Sequence, residues 1–230
     1  MAEYKGIMHF HSRYSFDSLL TIKKIVKMAL QYDLNFLLLT DHDTMAGSRQ
    51  LKKEVESRGL AIEAPMAAEY HTEYGDVIAA FITDEIYERR FDSFVEAVRK
   101  QGGLLLLPHP YRGHSEIDKL AEAVDLIEIF NPRVSAEDNE KALKLARKYK
   151  KRTYYGSDMH IESEFANTMV VFKKAGSLKN SLLKTNIRGL DLKPAEEGGV
   201  ILTQAIKALK KGKIRLLFSQ LKSLLKARLK

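Results

Sequence analysis

Phe36-Leu37-Leu38-Leu39-Thr40-Asp41-His42-Asp43 is a short apolar run that ends abruptly in ionisable residues. Four consecutive apolar residues suit a strand buried on both faces, as in a parallel sheet, and the polar group follows where such a strand leaves the core. Working outward, the same grammar recurs. Gly6 to Phe10 leads into His9-Phe10-His11, and Ala61 to Ala68 into Glu69. Leu104 to Leu107 precedes Pro108-His109-Pro110, Val124 to Phe130 carries Glu128 and leads to Asn131, and Thr153 to Gly156 precedes Ser157-Asp158-Met159-His160. Val77 to Ile82, after a turn at Gly75, and Thr168 to Phe172 complete the strands. Between them lie helical patterns. Thr21 is a candidate N-cap for Ile22, Ile25, Val26, Ala29 and Leu30, which follow helical spacing. Further helices are expected up to about Arg58, from Tyr87 to Lys100 before the Gly102-Gly103 stop, and over about 115–122 and 136–150. Strand–helix alternation of this kind predicts an α/β fold with a mainly parallel sheet, open or closed into a barrel.

Composition narrows the class. The chain of 230 residues has no cysteine, which excludes disulfides, thiolate metal sites and cysteine nucleophiles. No apolar run approaches membrane-spanning length and the N-terminus lacks a signal-peptide core, so a cytoplasmic protein is expected. The net charge of +8 is unevenly placed, because residues 201–230 hold nine Lys/Arg and no acid. A boundary is expected near Leu192-Lys193-Pro194, dividing the main α/β body (1–192) from a basic helical tail (193–230). From Ile214 the tail repeats Leu217, Phe218, Leu221, Leu224 and Leu225 at helical spacing among lysines and arginines. Such a helix either packs its leucines on the body or a second subunit, or meets an anionic surface, membrane or nucleic acid. The oligomeric state is not legible.

The chemistry concentrates after the strands. Of seven histidines, five (His9, His11, His42, His109 and His160) fall in the polar groupings at strand ends. In a parallel barrel those ends converge on one face. Residues two apart on an extended segment point to the same side, so His9 with His11, and Asp158 with His160, can each grip one metal. Singly, each residue also has a structural reading: Glu69 as an ion-pair partner, Asp158 as a helix cap. Together, imidazole plus carboxylate suits zinc, manganese or iron, with carboxylates bridging neighbouring ions. There is no Gly-rich phosphate loop and no Gly-x-Ser-x-Gly elbow.

In the order His9-x-His11-Ser12-x-x-Ser15-x-Asp17, Thr40-Asp41-His42-Asp43, Glu69, His109-Pro110 and Gly156-Ser157-Asp158-x-His160, the chain resembles the PHP family, named for polymerase and histidinol phosphatase domains. The resemblance covers roughly residues 5–175. It implies a distorted (β/α)7 TIM-like barrel holding divalent metals in its mouth. Carried over, His9 and His11 would bind the first metal, with Glu69 bridging and Asp158 nearby. Asp17, His42 and His160 would complete neighbouring sites, and His109 would serve the Glu69 side. Where members often place a histidine after a glycine, Gly75 is followed here by Asp76, which is assigned as a ligand, with His71 as competitor. A further Cys or His common between the Glu128 region and Asp158 is missing, so two or three ions (Zn, Mn or Fe) are expected. Asn131 matches a family position at the site mouth, and equally suits a turn residue capping its strand.

The function implied is hydrolysis of a phosphate ester on a small phosphorylated substrate by a metal-activated hydroxide. Asp41 or a metal-bound water would supply the leaving-group proton. Arg112 and Arg133 would bind the phosphate bidentately, unless they are solvated surface arginines. Two alternatives stand beside this: a nuclease aided by the basic tail, which would also place the protein at the membrane periphery if its target were lipid, and a non-catalytic subunit of a larger assembly.

Overall fold

A computed structural model describes residues 2–213, 216, 219 and 220 of the chain. The strands are β1 (Glu3–Met8), β2 (Phe36–Leu38), β3 (Ala67–Thr72), β4 (Gly75–Ala80), β5 (Leu104–Leu107), β6 (Leu126–Phe130), β7 (Arg152–Tyr155), β8 (Met169–Lys173) and β9 (Arg188–Leu190). The helices are α1 (Ile22–Gln31), α2 (Ala46–Ser57), α3 (Phe91–Lys100), α4 (Ile117–Ala123), α5 (Ala136–Lys148), α6 (Leu178–Lys184) and α7 (Glu197–Lys210). Thr21 caps α1 as its sequence suggests, its Oγ1 accepting from the Lys24 amide.

The strands form two sheets, ordered β2-β1-β8-β9 and β3-β4-β5-β6-β7. They do not close into one hydrogen-bonded barrel, and the pairing is mixed rather than mainly parallel. β1 with β2 and β5-β6-β7 are parallel, whereas β3-β4-β5 and β1-β8-β9 run antiparallel. The third strand lies later than its apolar run suggests, because Glu73-Tyr74 before Gly75 (φ 118°) closes a hairpin, and so short a link can join only antiparallel strands. The sheets meet through isolated parallel bridges, His42 with Glu69 and Phe10 with Met159. Those bridges sit just beyond the ends of β1, β2 and β7, so they draw the polar strand ends of both sheets together.

Period-two alternation explains the apolar runs. In β1 and β2, Met8, Phe36 and Leu38 face a shared interior with Ile78, Leu106, Leu126 and Tyr154. Ile7, Leu37 and Leu39 turn the other way, onto Ile25, Val26, Leu51 and Val55 of α1 and α2. Strands buried on both faces need no polar positions until they end.

No described helix is long and apolar enough to cross a membrane. The amphipathic segment expected from Ile214 lies outside the described residues. Within the basic tail, α7 is described, with Thr203, Ala205, Ile206 and Ala208 buried.

Candidate metal centre

Residues following β1, β2, β5 and β7, with Glu69 from within β3, fold into one buried cluster. His9, His11, Glu69 and Asp158 are almost wholly inaccessible, with Asp17, His109 and His160 close behind. Local backbone strain aims several of them: His9 (φ 55°), His109 (φ 25°) and Asp158 (φ 45°) all occupy the left-handed side of conformational space. Non-glycine residues persist there only where surroundings hold them, and such strain gathers at functional sites.

Ligand atoms group into three overlapping sets: His11, Asp17, His42 and His160; His9, Glu69 and His109; and His9, His11 and Asp158. His9 and His11 each belong to two sets. Glu69 reaches across, with Oε2 lying 3.5 Å from His9 Nε2, 3.4 Å from His11 Nε2 and 3.3 Å from His42 Nδ1, and Oε1 3.2 Å from His109 Nε2. Asp17 Oδ2 stands 3.3 Å from His42 Nε2 and 3.4 Å from His160 Nε2. His9 Nε2, His11 Nε2, Asp17 Oδ1 and both Glu69 oxygens are buried without a hydrogen-bond partner. Orphaned polar atoms are costly in a core unless something else satisfies them. Imidazole nitrogens and carboxylate oxygens with free lone pairs facing one another fit divalent cations, so the donor set passes that test.

The electrostatics follow. Burial disfavours the charged form of every member, but the groups offset one another. Glu128 and Glu69 outweigh burial and hold His9 well above the usual histidine range. Burial, with the charges of His160 and His42, pushes His11 down to about 3. Against burial, Glu69 and Asp17 raise His42 to about 9. The surrounding histidines hold Glu69 and Asp158 well below the carboxylate range despite burial.

Glu128 and Asn131 form the layer behind. Glu128 Oε1 accepts from His9 Nδ1 at 2.7 Å, and its Oε2 accepts from the His109 amide at 2.6 Å and from Asn131 Nδ2 at 3.0 Å. Asn131 Nδ2 also reaches Asp158 Oδ2 at 3.2 Å, and its Oδ1 accepts from the Arg133 amide. Asn131 is therefore a buried organiser at the strand end rather than a residue of the mouth.

Asp76 stands apart from the three sets. Hairpin register pairs it with His71, and its Oδ1 lies 2.7 Å from His71 Nδ1 at the cavity mouth. Asp41, the candidate proton donor, is fully buried, its oxygens accepting from the Ser12 amide and from the Ser12 and Ser15 hydroxyls; burial pushes its carboxyl up. It does not line the cavity. His114, given no role from sequence, packs on His109 and bonds the Asp76 carbonyl.

Above the cluster opens a cavity of about 460 Å³. Arg112 and Arg133 are among the residues that line it. Arg112 Nη1 lies 3.4 Å from Asp158 Oδ2 and remains partly exposed, while Arg133 is buried with Nη2 on both Glu164 oxygens at 2.6 and 2.8 Å. Sequence reading missed Phe16 and the wall made by Thr203, Gln204, Lys207 and Lys211 of α7. The available signal was the Lys207/Lys211 spacing of one helical turn.

A mixed α/β fold whose strands assemble a buried, multi-carboxylate, multi-histidine site defines a candidate metal-binding architecture. The chain belongs to the PHP domain family, whose sequence profile matches residues 8–182. An uncharacterised protein of Methanocaldococcus jannaschii is 28% identical over 141 residues, covering 55% of this chain and 81% of that protein. A two-domain Bacteroides vulgatus protein containing a predicted PHP-like metal-dependent phosphoesterase shares the fold, with a TM-score of 0.67 at 19% identity over 82% of this chain and 65% of its own. The chain thus spans under two thirds of that protein. The lesion-specific endonuclease of Pyrococcus furiosus superposes with a TM-score of 0.57 at 14% identity, over 81% of this chain and 58% of its own.

Proposed function

We propose that this protein is a metal-dependent phosphoesterase acting on a small phosphorylated substrate. One observation carries the reading: three ligand sets, linked through His9 and His11, lie at the floor of a cavity that Arg112, Lys207 and Lys211 also line, beside Asp43 and Asp76. His9, Glu69 and His109 would hold one ion, His11, Asp17, His42 and His160 another, and His9, His11 and Asp158 complete a third position; zinc, manganese or iron suits this donor set. Bound divalent ions would supply Lewis acidity and a deprotonated water at neutral pH. The chain's own residues do the rest. Glu128 fixes the His9 tautomer, Arg112 offers an exposed guanidinium to a phosphoryl group, and the buried walls limit solvent access.

The test is metal content of purified wild type and His9→Ala, with hydrolysis of a chromogenic phosphate ester measured alongside. Two or three ions per wild-type chain, with metal and hydrolysis both lost in the variant, are expected. A wild type without bound metal, and inert after manganese or zinc is added, overturns the reading.

A nuclease is the second reading, favoured by the lysines α7 brings to the cavity and by the fold shared with an endonuclease. Salt-sensitive cleavage of short oligonucleotides, with chromogenic esters poorly turned over, would select it. The basic segment beyond α7 would then be the contact to the phosphate backbone.

A further inference from the structure

Helix α7 (Glu197–Lys210) lies outside the matched span 8–182, yet with Lys211 at its C-cap it forms one wall of the metal cavity, beside Asp17, His42 and His160. Its lysines divide the work. Lys210 Nζ donates to the carbonyls of Arg13, Ser15 and Ser18 at 2.9, 2.7 and 2.7 Å, which pins the helix to the loop carrying Asp17. Lys207 and Lys211 turn instead into the cavity, their ammonium groups 4.9 and 3.8 Å from the centre of the Phe16 ring. The other face of Phe16 stacks on His42 at 4.7 Å.

Among the described residues, no carboxylate lies within ion-pair distance of Lys207 or Lys211. Like charges one turn apart on a helix repel, and an aromatic face compensates them only in part. The nearby Arg133 is committed elsewhere: its side chain is 2% exposed and its Nη2 bonds Glu164 and Thr203, which leaves it no part in neutralising an anion beside the two lysines. Uncompensated donors gathered around one cavity call for an anion.

We propose that Lys207 and Lys211 bind the anionic group of the substrate, which makes α7 a substrate-binding element of this site. The ligand class is a phosphate-bearing anion. That the anion is a substrate rests on the phosphoesterase reading; that it binds here does not.

The experiment is calorimetric titration of the full, metal-loaded chain with inorganic phosphate. Wild type, Lys207→Gln/Lys211→Gln and Lys207→Arg/Lys211→Arg are compared. The glutamine pair should weaken phosphate binding by about tenfold, as expected for lost charge-assisted hydrogen bonds, and the arginine pair should restore it. With a chromogenic ester, KM should rise by a similar factor while kcat falls by less than about threefold, the signature of lost uniform binding. Unchanged phosphate affinity in the glutamine pair, or no phosphate binding by wild type, overturns the proposal. Should the glutamine pair fail to fold, the single Lys211→Gln chain decides, and equal affinity there counts against it. Weakened phosphate binding in a chain that hydrolyses no ester would keep the anion site and sink the phosphoesterase reading.

Discussion

Glu128 contributes no atom to any ligand set, yet it governs the residue that two sets share. By holding His9 Nδ1, its carboxylate turns Nε2 toward Glu69 and Asp158, the direction in which it would meet a cation. Outer partners of this kind set ligand orientation and basicity, so Glu128→Gln should weaken metal affinity by roughly 10- to 100-fold. Competition against a chelator measures this; equal affinity in the variant would show that Glu128 only fills space. Gly156 packs against the same carboxylate. A Cβ there would fall 1.6 Å from Glu128 Oε1 and 3.1 Å from His9 Nδ1. Gly156→Ala should therefore destabilise the fold by about 1–3 kcal/mol, as overpacking does, and displace metal as well. Urea denaturation beside metal analysis checks both. None of this was readable from sequence, where Glu128 was one carboxylate among the strand-end groupings and Gly156 part of a motif.

At the scale of elements, the decisive contact is between α7 and the loop over residues 12–20. That loop has little regular structure, but Asp41 ties it from below through Ser12 and Ser15, and Lys210 ties it from above through three carbonyls. Lys210→Met keeps the aliphatic stem and removes the donors. Amide exchange over residues 12–20 should quicken in the variant, because local opening is limited by such contacts. Unaltered exchange would mean that Asp41 and the Ser18 bond to the His160 carbonyl hold the loop without Lys210. Element ends are simpler to foresee. Thr21, Ser135 and Ser177 each accept an amide hydrogen bond at a helix start, and only Thr21 stood out beforehand, because its helix has the cleanest apolar spacing. Thr21→Ala should cost about 1 kcal/mol by thermal or urea unfolding. The strands on either side of the Gly75 turn were expected but not their antiparallel pairing, and β9, Arg188-Gly189-Leu190, has no apolar run to mark it.

For the whole molecule, the fold holds a concentration of buried, mutually offsetting charge whose natural complement is a cation. Metal binding to the native state alone raises stability by mass action: at one hundred times the dissociation constant the gain is about 2.7 kcal/mol, or roughly 5–10 °C in Tm for a chain of this size. Chelation of the purified protein should lower Tm by that order, and manganese or zinc should restore it; a Tm indifferent to both would deny the site its ions. Residue pattern alone placed His9, His11, His42, His109, Asp158 and His160 just after strands, because a buried strand announces itself by apolar continuity and the chemistry follows directly after it; Glu69 instead lies within β3. It also determined most helices, since 3.6-residue periodicity is local. Tertiary structure alone decided that the sheets are two and mixed rather than one closed barrel, that Asp76 pairs with His71 away from the ligand sets, and that Asp41 and Asn131 serve behind the cavity wall. It alone brought Lys207, Lys210 and Lys211 to a loop almost 200 residues earlier. Residue type and spacing are properties of the chain; which face meets which is settled by burial of the shared core, and no local pattern encodes that distance.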